Sequence, residues 1–416
     1  MSDFYQNGVI TTLHQLRTRS LDDLEEELIR LSRDRPMALV LPSLYSELEG
    51  PALENIVRQL AEVPYLSQIV IGLDRADETQ YGHAVEYFGR LPQHHRILWN
   101  DGPRLRAIDQ ELDAVGLAPT ELGKGRNVWY CLGYIQASNI AQAVALHDCD
   151  ILTYDRTMLA RLFYPVVNPL FQYDFCKGYY PRVAERKLNG RVCRLLVTPL
   201  IRALRQVTGP SDFLDYLDSF RYALAGEFSL RTGVLADLRI PSDWGLEIGV
   251  LSEVHRNYGA RRVCQVDVAD NYDHKHQPLS EEDPSTGLSR MSVDIVKAVL
   301  RKLATNGVVF SHENIRTLKA TYYRIALDFV ESYYHDAMIN GLRLDRDREE
   351  RAVELFSTNI LTAGEIFLEN PRETPFIASW NRVRSAVPDV FDKRRSAAEQ
   401  DHVGVRPPLR AVRGRP

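Results

Sequence analysis

Residues 143–150 read Ala143-Val-Ala-Leu-His-Asp148-Cys149-Asp150. The apolar start of this stretch predicts a short buried strand, and the carboxylates of Asp148 and Asp150 follow directly after it. Two carboxylates this close, just beyond a strand end, can share one hard divalent cation such as Mg²⁺, with substrate phosphates completing its shell. A solvated turn is the alternative, because short Asp-x-Asp strings are common. The strand context supports the metal site.

Upstream of this stretch, short apolar runs alternate with amphipathic segments of helical spacing. Such alternation predicts βαβ units, and therefore an α/β, Rossmann-like fold with a mostly parallel sheet flanked by helices. The predicted strands are 37–41 (ended by Pro42), 69–73, 96–99 and 143–146, and the predicted helices are 20–34, 51–63, 79–91 and 127–143.

Polar clusters follow three of these strands, at 43–47, 74–77 and 148–150. Ligands of parallel sheets bind outside the carboxyl ends of the strands, so the clusters predict one cleft. Lys124, between two glycines, precedes the helix that leads into the last strand. The glycines would let the backbone approach a ligand, and Lys124 would meet its phosphates. An ordinary turn is the alternative, because no Walker A or dinucleotide-binding pattern is present.

The rest of the chain differs in its predicted secondary structure and its composition. Residues 151–285 mix helical and strand-like patterns, whereas 286–392 are largely helical. Residues 393–416 are rich in Arg and Pro and poor in large apolar side chains, so we expect a disordered basic tail. The tyrosine pairs 322–323 and 333–334 of the helical region are a candidate homodimer contact. Packing of this region against the catalytic body is the alternative.

The composition excludes several classes of protein. The formal net charge is -5, which gives no overall bias toward nucleic acid. The chain has no apolar run near the roughly 20 residues that span a bilayer, and no secretory signal at its start. Its five cysteines form no CxxC pair, which indicates free thiols in a reducing compartment. These features predict a cytoplasmic protein.

Three further sites could carry chemistry. His274 and His276 could complete a metal site that begins with carboxylates, or they could belong to a surface loop. Glu247 stands among apolar residues, where it could orient an acceptor hydroxyl, cap a helix or pair with an arginine. Lys187, Arg191 and Arg194 surround Asn189-Gly190, and such a basic cluster suits a phosphorylated acceptor. A solvated charged loop is the alternative for this cluster.

In their chain order, these elements resemble the glucosyl-3-phosphoglycerate synthase family of retaining glycosyltransferases, whose fold is GT-A. The likeness covers about residues 36 to 305. It rests on short motifs: Leu41-Pro42-Ser43-Leu44 with Glu47, Gly123-Lys124-Gly125, Asp148-Cys149-Asp150, Gly190-Arg191-Val192, Gly226-Glu227-Phe228, Gly245-Leu246-Glu247-Ile248-Gly249, and His274 with Gln277-Pro278-Leu279.

The resemblance implies roles for individual residues. The metal, Mg²⁺ or Mn²⁺, would be held by Asp150 and His274, and the catalytic residues would be Asp148, Asp150 and Glu247. The nucleotide-sugar donor would be bound by Pro42, Ser43, Leu44, Glu47, Asp74, Lys124, Asp148 and Cys149. The acceptor would be bound by Gly190, Arg191, Cys193, Glu247 and His276. The chain would then divide into an N-terminal helical segment (1–35), a donor-binding half (36–150), an acceptor-binding half (151–285), the helical C-terminal region (286–392) and the tail.

The implied reaction moves glucose from UDP-glucose to 3-phosphoglycerate with retention of configuration. Three departures from the family pattern concern the acceptor: Cys193 stands for a Thr, Tyr272 for an Arg and His276 for an Asn. Close variants would use GDP-glucose, GDP-mannose or unphosphorylated glycerate. Two competing hypotheses are a non-catalytic nucleotide-sugar sensor and a haloacid-dehalogenase-type phosphohydrolase. The phosphohydrolase would need its acidic motif near the first strand, not near the fourth.

Overall fold

The computed structural model describes Gln6 and residues 8–274, 287–371 and 376–405. Ten strands lie within these residues. They are β1 Thr11–Leu13, β2 Met37–Leu44, β3 Leu66–Asp74, β4 His95–Trp99, β5 Ala143–Leu146, β6 Phe175–Tyr179, β7 Val183–Ala184, β8 Lys187–Leu188, β9 Phe228–Arg231 and β10 Val263–Asp267.

Eight of the strands form one sheet in the order β1-β10-β6-β9-β5-β2-β3-β4, and β7 and β8 form a small hairpin. All neighbours in the large sheet are parallel except β9, which is antiparallel to both β5 and β6. The predicted strands β2, β3, β4 and β5 are therefore confirmed as a parallel unit. The short edge strand β1 lies in the segment predicted to be helical, and neither it nor β9 was predicted.

The strand that begins at Met37 continues through Pro42 to Leu44, so the prediction that Pro42 ends it is wrong. The pairing explains why the proline is tolerated. On one side β2 pairs with β3 as far as Leu44, but on the other side its pairing with β5 stops at Val40. Pro42 lacks a backbone N–H, and it lies where one side of the strand has no partner among the described strands.

Fourteen α-helices surround the sheet in the described chain. They are α1 Leu21–Ser32, α2 Pro51–Ala61, α3 Glu78–Phe88, α4 Pro103–Ala114, α5 Lys124–Ser138, α6 Arg156–Val167, α7 Thr198–Thr208, α8 Asp212–Asp218, α9 Leu246–Asn257, α10 Gly287–Thr305, α11 His312–Ile339, α12 Arg346–Glu369, α13 Trp380–Ala386 and α14 Val390–Val405. None of the described helices combines the length and the apolar character needed to cross a bilayer.

The two faces of the sheet carry separate apolar cores. Ala38 and Val40 of β2 point into one core, which includes residues of α5, α7 and α9 to α13, while Leu39 and Leu41 point into the other, formed with α1, α2, α3 and α6. This alternation follows from the period of two along a strand. Both helical layers thus leave the carboxyl ends of the parallel strands free to carry polar residues.

The C-terminal helices pack against the α/β part of the chain. Tyr322 of α11 is fully buried, and its hydroxyl donates to the carbonyl oxygen of Leu195 at 2.7 Å. Tyr333 lies against the guanidinium of Arg194, 4.8 Å from ring centroid to Cζ. Two of the four tyrosines of the candidate dimer contact therefore face the chain's own core.

The predicted disorder of the tail is wrong for residues 393–405, which belong to α14. Arg394 is 1% exposed, and its guanidinium lies over the rings of Tyr130 and Trp380. Composition alone underestimates the ability of such a segment to pack, because an arginine can bury its aliphatic stem and stack its planar group on aromatic rings. Residues 406–416 lie outside the described residues.

Candidate functional site

Polar residues collect at the carboxyl ends of β2, β3 and β5, three strands of the parallel unit. Ser43 lies near the end of β2, and Asp74 ends β3. Glu47 lies in the 3-10 turn that follows β2, and Asp148 and Asp150 follow β5. Because parallel neighbours end at the same edge, the three sequence clusters meet at one edge of the sheet, where the cleft was predicted.

Two of the predicted donor-binding residues turn their side chains away from the centre of this cleft. Asp74 is buried, which raises its pKa, and it accepts a hydrogen bond from Asn100 Nδ2 at 2.7 Å. Cys149 is buried in the same apolar core as Leu41 and Leu73, and burial raises the pKa of its thiol. A donor contact of Cys149 would therefore come from its backbone.

Lys124 links two of the predicted catalytic carboxylates. It begins α5, and its Nζ lies 2.7 Å from Asp148 Oδ1 and 3.2 Å from Oε1 of Glu247, in the first turn of α9. Burial would lower the pKa of Lys124, but the two carboxylates outweigh burial and raise it. Burial raises the pKa of Asp148 to about 6, although Lys124 opposes the shift. Side chains from three elements thus meet as one ion network.

Asp150 and His274 lie side by side, as the metal hypothesis requires. Ile151 and His274 form an isolated antiparallel bridge, and Leu152 N–H donates to the Asp273 carbonyl oxygen at 2.9 Å. This pairing brings His274 Nδ1 to 3.4 Å from Asp150 Oδ2. Burial would raise the pKa of Asp150, but the hydrogen bond and charge of His274, together with the charge of Lys124, lower it.

No group of three or more histidine, cysteine or carboxylate side chains is poised to bind a metal within the described ranges. His276, a further candidate, lies outside them. A metal held by Asp150 and His274 would therefore need further ligands from substrate or water, which is the usual situation for Mg²⁺ beside a nucleotide.

The glycines around Lys124 pack closely against the backbone of residues 241 and 242. A Cβ at Gly125 would lie 2.0 Å from the carbonyl oxygen of Pro241, so no side chain fits there. Gly226 is the glycine that lies against the ion network: a Cβ there would be 2.4 Å from Asp148 Oδ2 and 2.9 Å from Lys124 Nζ. The backbone at Gly226 therefore forms one wall of the network.

Two buried charged residues behind this wall were not predicted as site residues. Glu227 is fully buried and accepts hydrogen bonds from the hydroxyls of Tyr180 at 2.6 Å and Tyr272 at 2.8 Å, whose rings stack with centroids 3.7 Å apart. Lys177 of β6 is also fully buried. Burial lowers its pKa to about 8, although the charges of Glu247 and Glu227 oppose the shift.

We call this set the carboxylate cluster: Asp148, Asp150, Glu227, Glu247, Lys124 and Lys177. Four carboxylates against two lysines give it a net charge of minus two when all six are ionised. The only sequence signals for the missed pair were the Gly226-Glu227-Phe228 motif and a lysine inside an apolar strand. Neither signal reveals that both side chains are fully buried.

The basic residues predicted to bind the acceptor come together in part. Arg191 and Arg194 both contact Glu349 of α12, with nitrogen-to-oxygen distances of 2.8 Å. Cys193 is buried, which raises the pKa of its thiol. Lys187 is exposed and pairs with Glu185 at 3.4 Å, outside this group. Sequence reasoning missed Glu349, since nothing in a sequence pairs residues so far apart.

A scan against protein-family models gave no match. Two curated relatives align over nearly the whole chain. The glucosyl-3-phosphoglycerate synthase of Persephonella marina is 46% identical over 97% of this chain and 99% of its own length. The chain belongs to the glucosyl-3-phosphoglycerate synthase family. The enzyme of that name from Methanococcoides burtonii is 38% identical over 96% of this chain and 98% of its own length.

Solved structures of this family and of a related one share the fold. Mycobacterium tuberculosis glucosyl-3-phosphoglycerate synthase, in complex with Mn²⁺, UDP-glucose and phosphoglyceric acid, has a TM-score of 0.53 at 20% identity, covering 73% of this chain and 89% of that chain. Rubrobacter xylanophilus mannosyl-3-phosphoglycerate synthase also has a TM-score of 0.53 at 20% identity, covering 72% and 83%. The predicted GT-A fold is thereby confirmed, and membership of the glucosyl-3-phosphoglycerate synthase family makes the chain a glycosyltransferase.

Proposed function

We propose that this chain transfers glucose from UDP-glucose to 3-phosphoglycerate, with retention of configuration and with the help of a divalent cation. The proposal rests on its relatives, which carry the name of this activity over nearly full length. Within the chain, the observation that carries it is the meeting of Lys124 with Asp148 and Glu247, beside the pair formed by Asp150 and His274. Such a set suits a sugar nucleotide, which brings both a diphosphate and a sugar.

The residues at Asp150 fit a cation such as Mg²⁺ or Mn²⁺. A carboxylate and an imidazole that face each other at 3.4 Å offer an oxygen and a nitrogen donor to one ion. The lowered pKa of Asp150 keeps its carboxylate ionised at neutral pH. A bound cation would offset the negative charge that develops on the departing diphosphate.

The remaining residues would bind and orient the substrates. Lys124 would exchange part of its contact with Asp148 for the diphosphate, while Asp148 would hold the ribose or the donor sugar. Glu247 would contact the sugar or the acceptor. In the transfer, the bond from C1 to the diphosphate oxygen breaks and a bond from the acceptor hydroxyl oxygen to C1 forms on the same face. The hydroxyl proton passes to the departing diphosphate.

The acceptor phosphate would bind at Gly190 and Arg191. A guanidinium offers two parallel N–H donors to a phosphate, and the side chain of Arg191 is partly exposed. The three departures from the family pattern, at Cys193, Tyr272 and His276, concern residues expected to contact the acceptor.

A mannosyl donor is the second candidate, because a mannosyl-3-phosphoglycerate synthase structure matches the fold as well as the glucosyl enzyme does. GDP-glucose and unphosphorylated glycerate are narrower variants. Family membership excludes the phosphohydrolase hypothesis.

Nucleotide release by the purified protein tests the proposal. UDP-glucose, GDP-glucose and GDP-mannose would each be offered with 3-phosphoglycerate or glycerate, in Mg²⁺, Mn²⁺ or EDTA. We expect release only with UDP-glucose, 3-phosphoglycerate and cation together, and an α-linked product by NMR. If the protein binds a donor but releases no nucleotide with either acceptor, the non-catalytic sensor would be favoured.

We also propose that the enzyme works in the cytoplasm as a homodimer. The exposed side of α11 remains the candidate contact, since Met338 and Ile339 are exposed there. Sedimentation of the full chain and of a Met338→Glu, Ile339→Glu double variant tests this contact. If the variant remains a dimer, the contact lies elsewhere.

A further inference from the structure

Arg191, the residue proposed to grip the acceptor phosphate, is held by a carboxylate from the C-terminal helical region. Glu349 Oε1 accepts from Arg191 Nε at 2.9 Å and lies 2.8 Å from Nη2. Its Oε2 accepts from Arg194 Nη2 at 2.8 Å. One carboxylate therefore bridges two arginines that lie three residues apart in the chain.

Glu349 is held firmly in place beside Arg191 and Arg194. It is 3% exposed, and a carboxylate this deeply buried is retained only with good partners. It stands in the first turns of α12, whose N-terminus carries a partial positive charge that favours an anion. Its position is thus fixed by a helix, by burial and by two ion pairs.

The same carboxylate steadies the turn that carries Gly190. Arg194 donates its Nε to the carbonyl oxygen of Asn189 at 2.8 Å, so it ties the turn before Gly190 to Glu349. Arg191 is tied directly, through one edge of its guanidinium. Its Nη1 takes no part in the ion pair, and the side chain is 20% exposed. This leaves a second edge of the guanidinium to meet a ligand.

A third arginine lies next to the turn. Arg182 is 8% exposed, its Nε has no hydrogen-bond partner among the described residues, and its guanidinium lies over the ring of Tyr272, 5.4 Å from the centroid. We call Arg182, Arg191, Arg194 and Glu349 the arginine cluster. Three arginines against one carboxylate give it a net charge of plus two, which matches the nearly doubly charged phosphate of a phosphate monoester.

We propose that Glu349 is a positioning residue for the acceptor: it fixes the guanidinium of Arg191 so that the free edge of that group meets the phosphate. The proposal rests on the proposed function, in which Arg191 binds that phosphate. It adds a residue of the C-terminal helices to acceptor recognition. Glu349 itself touches no substrate and acts through Arg191.

Steady-state kinetics of Glu349→Gln, which keeps the shape and removes the charge, tests the role. We expect KM for 3-phosphoglycerate to rise about tenfold, with kcat and the donor Kd within twofold of the parent. Glu354→Gln, at an exposed position on the same helix, is the matched control and should change nothing. In an Arg191→Ala background, Glu349→Gln should raise the acceptor KM by no more than about threefold, because only the smaller contribution through Arg194 and the Gly190 turn remains.

Other results overturn the role. A KM that falls or stays constant in Glu349→Gln refutes it, and so does an effect of full size in the Arg191→Ala background. If Arg191→Ala itself leaves the acceptor KM unchanged, the proposed acceptor site fails and the role of Glu349 fails with it. Should Glu349→Gln not fold, Glu349→Asp keeps the charge but draws the carboxylate back. It should then show the same rise in acceptor KM alone, and an unchanged KM would count against the proposal.

Discussion

The carboxylate cluster and the arginine cluster are built with opposite imbalances of charge. The first has four carboxylates for two lysines, and the second has three arginines for one carboxylate. One lacks two positive charges and the other lacks two negative charges. A divalent cation and a phosphate dianion would restore the balance of each. Each cluster thus has an excess charge opposite in sign to that of its proposed ligand.

Two stacked tyrosines, Tyr180 and Tyr272, lie between the two clusters. Tyr272 donates its hydroxyl to Glu227 of the carboxylate cluster, while its ring lies under Arg182 of the arginine cluster. Tyr180 stacks on Tyr272 and donates to the same carboxylate. Tyr272, which departs from the family pattern, therefore contacts both clusters.

The largest effect is expected from a substitution that disrupts the carboxylate cluster alone. Asp150→Asn removes an ionised donor beside His274, so we expect metal-dependent turnover to fall about 1000-fold, and metal-dependent donor binding to be lost. Calorimetric titration with UDP and Mn²⁺ measures the binding, and EDTA should reduce the parent to the level of the variant. A variant that still binds UDP in a Mn²⁺-dependent way would place the cation elsewhere.

The next largest effect is expected from a substitution that disrupts the arginine cluster alone. Arg191→Ala should raise the acceptor KM about 10- to 100-fold, since hydrogen bonds to a charged group are worth about 1.5–3 kcal/mol. The donor Kd should stay within twofold. Initial rates at saturating donor give the first quantity, and calorimetry gives the second. If Asp150→Asn and Arg191→Ala weaken donor binding equally, the two clusters do not divide the substrates between them.

A smaller effect concerns the wall of the ion network at Gly226. Gly226→Ala puts a methyl group against Asp148 and Lys124, so we expect a loss of about 1–3 kcal/mol in the free energy of unfolding. The donor Kd should also rise. Gly233→Ala is the control, because a Cβ there meets no atom of the described residues within 4 Å. Urea unfolding of both variants measures the difference, and equal losses would show that contact with the network is not the cause.

The sequence predicted those parts of the fold and site that depend on local pattern. The strands β2 to β5 and the residues at their carboxyl ends follow from apolar runs and from the rule for parallel sheets. It did not predict β9, whose antiparallel insertion between β5 and β6 depends on pairing across the sheet. It also missed Glu227, Lys177 and Glu349, because burial and distant ion pairs arise only from the tertiary structure.

An effect seen only as the pH is raised concerns Lys177, the buried lysine of the carboxylate cluster. The pKa of Lys177 is about 8, below that of a lysine in the unfolded chain, so between these two values the unfolded state binds more protons. The contribution of Lys177 to stability therefore improves as pH rises through this window. Relative to Lys177→Met, the parent should gain at most about 3 kcal/mol from pH 7 to pH 10. Urea unfolding at several pH values measures this gain, and parallel curves would mean that Lys177 is not perturbed.

The last described helix has a consequence for the outer edge of the sheet. β4 is the terminal strand on its side, and a terminal strand presents unpaired backbone groups that can recruit another chain. α14 packs against β4 and against α3, α4 and α5, helices that lie on both faces, so it crosses this edge. Arg96 of β4 fastens it through two hydrogen bonds to Glu399, at 2.9 and 2.7 Å. A chain that stopped before Val390 would leave this edge open to strand-by-strand aggregation, whatever the state of its catalytic cleft.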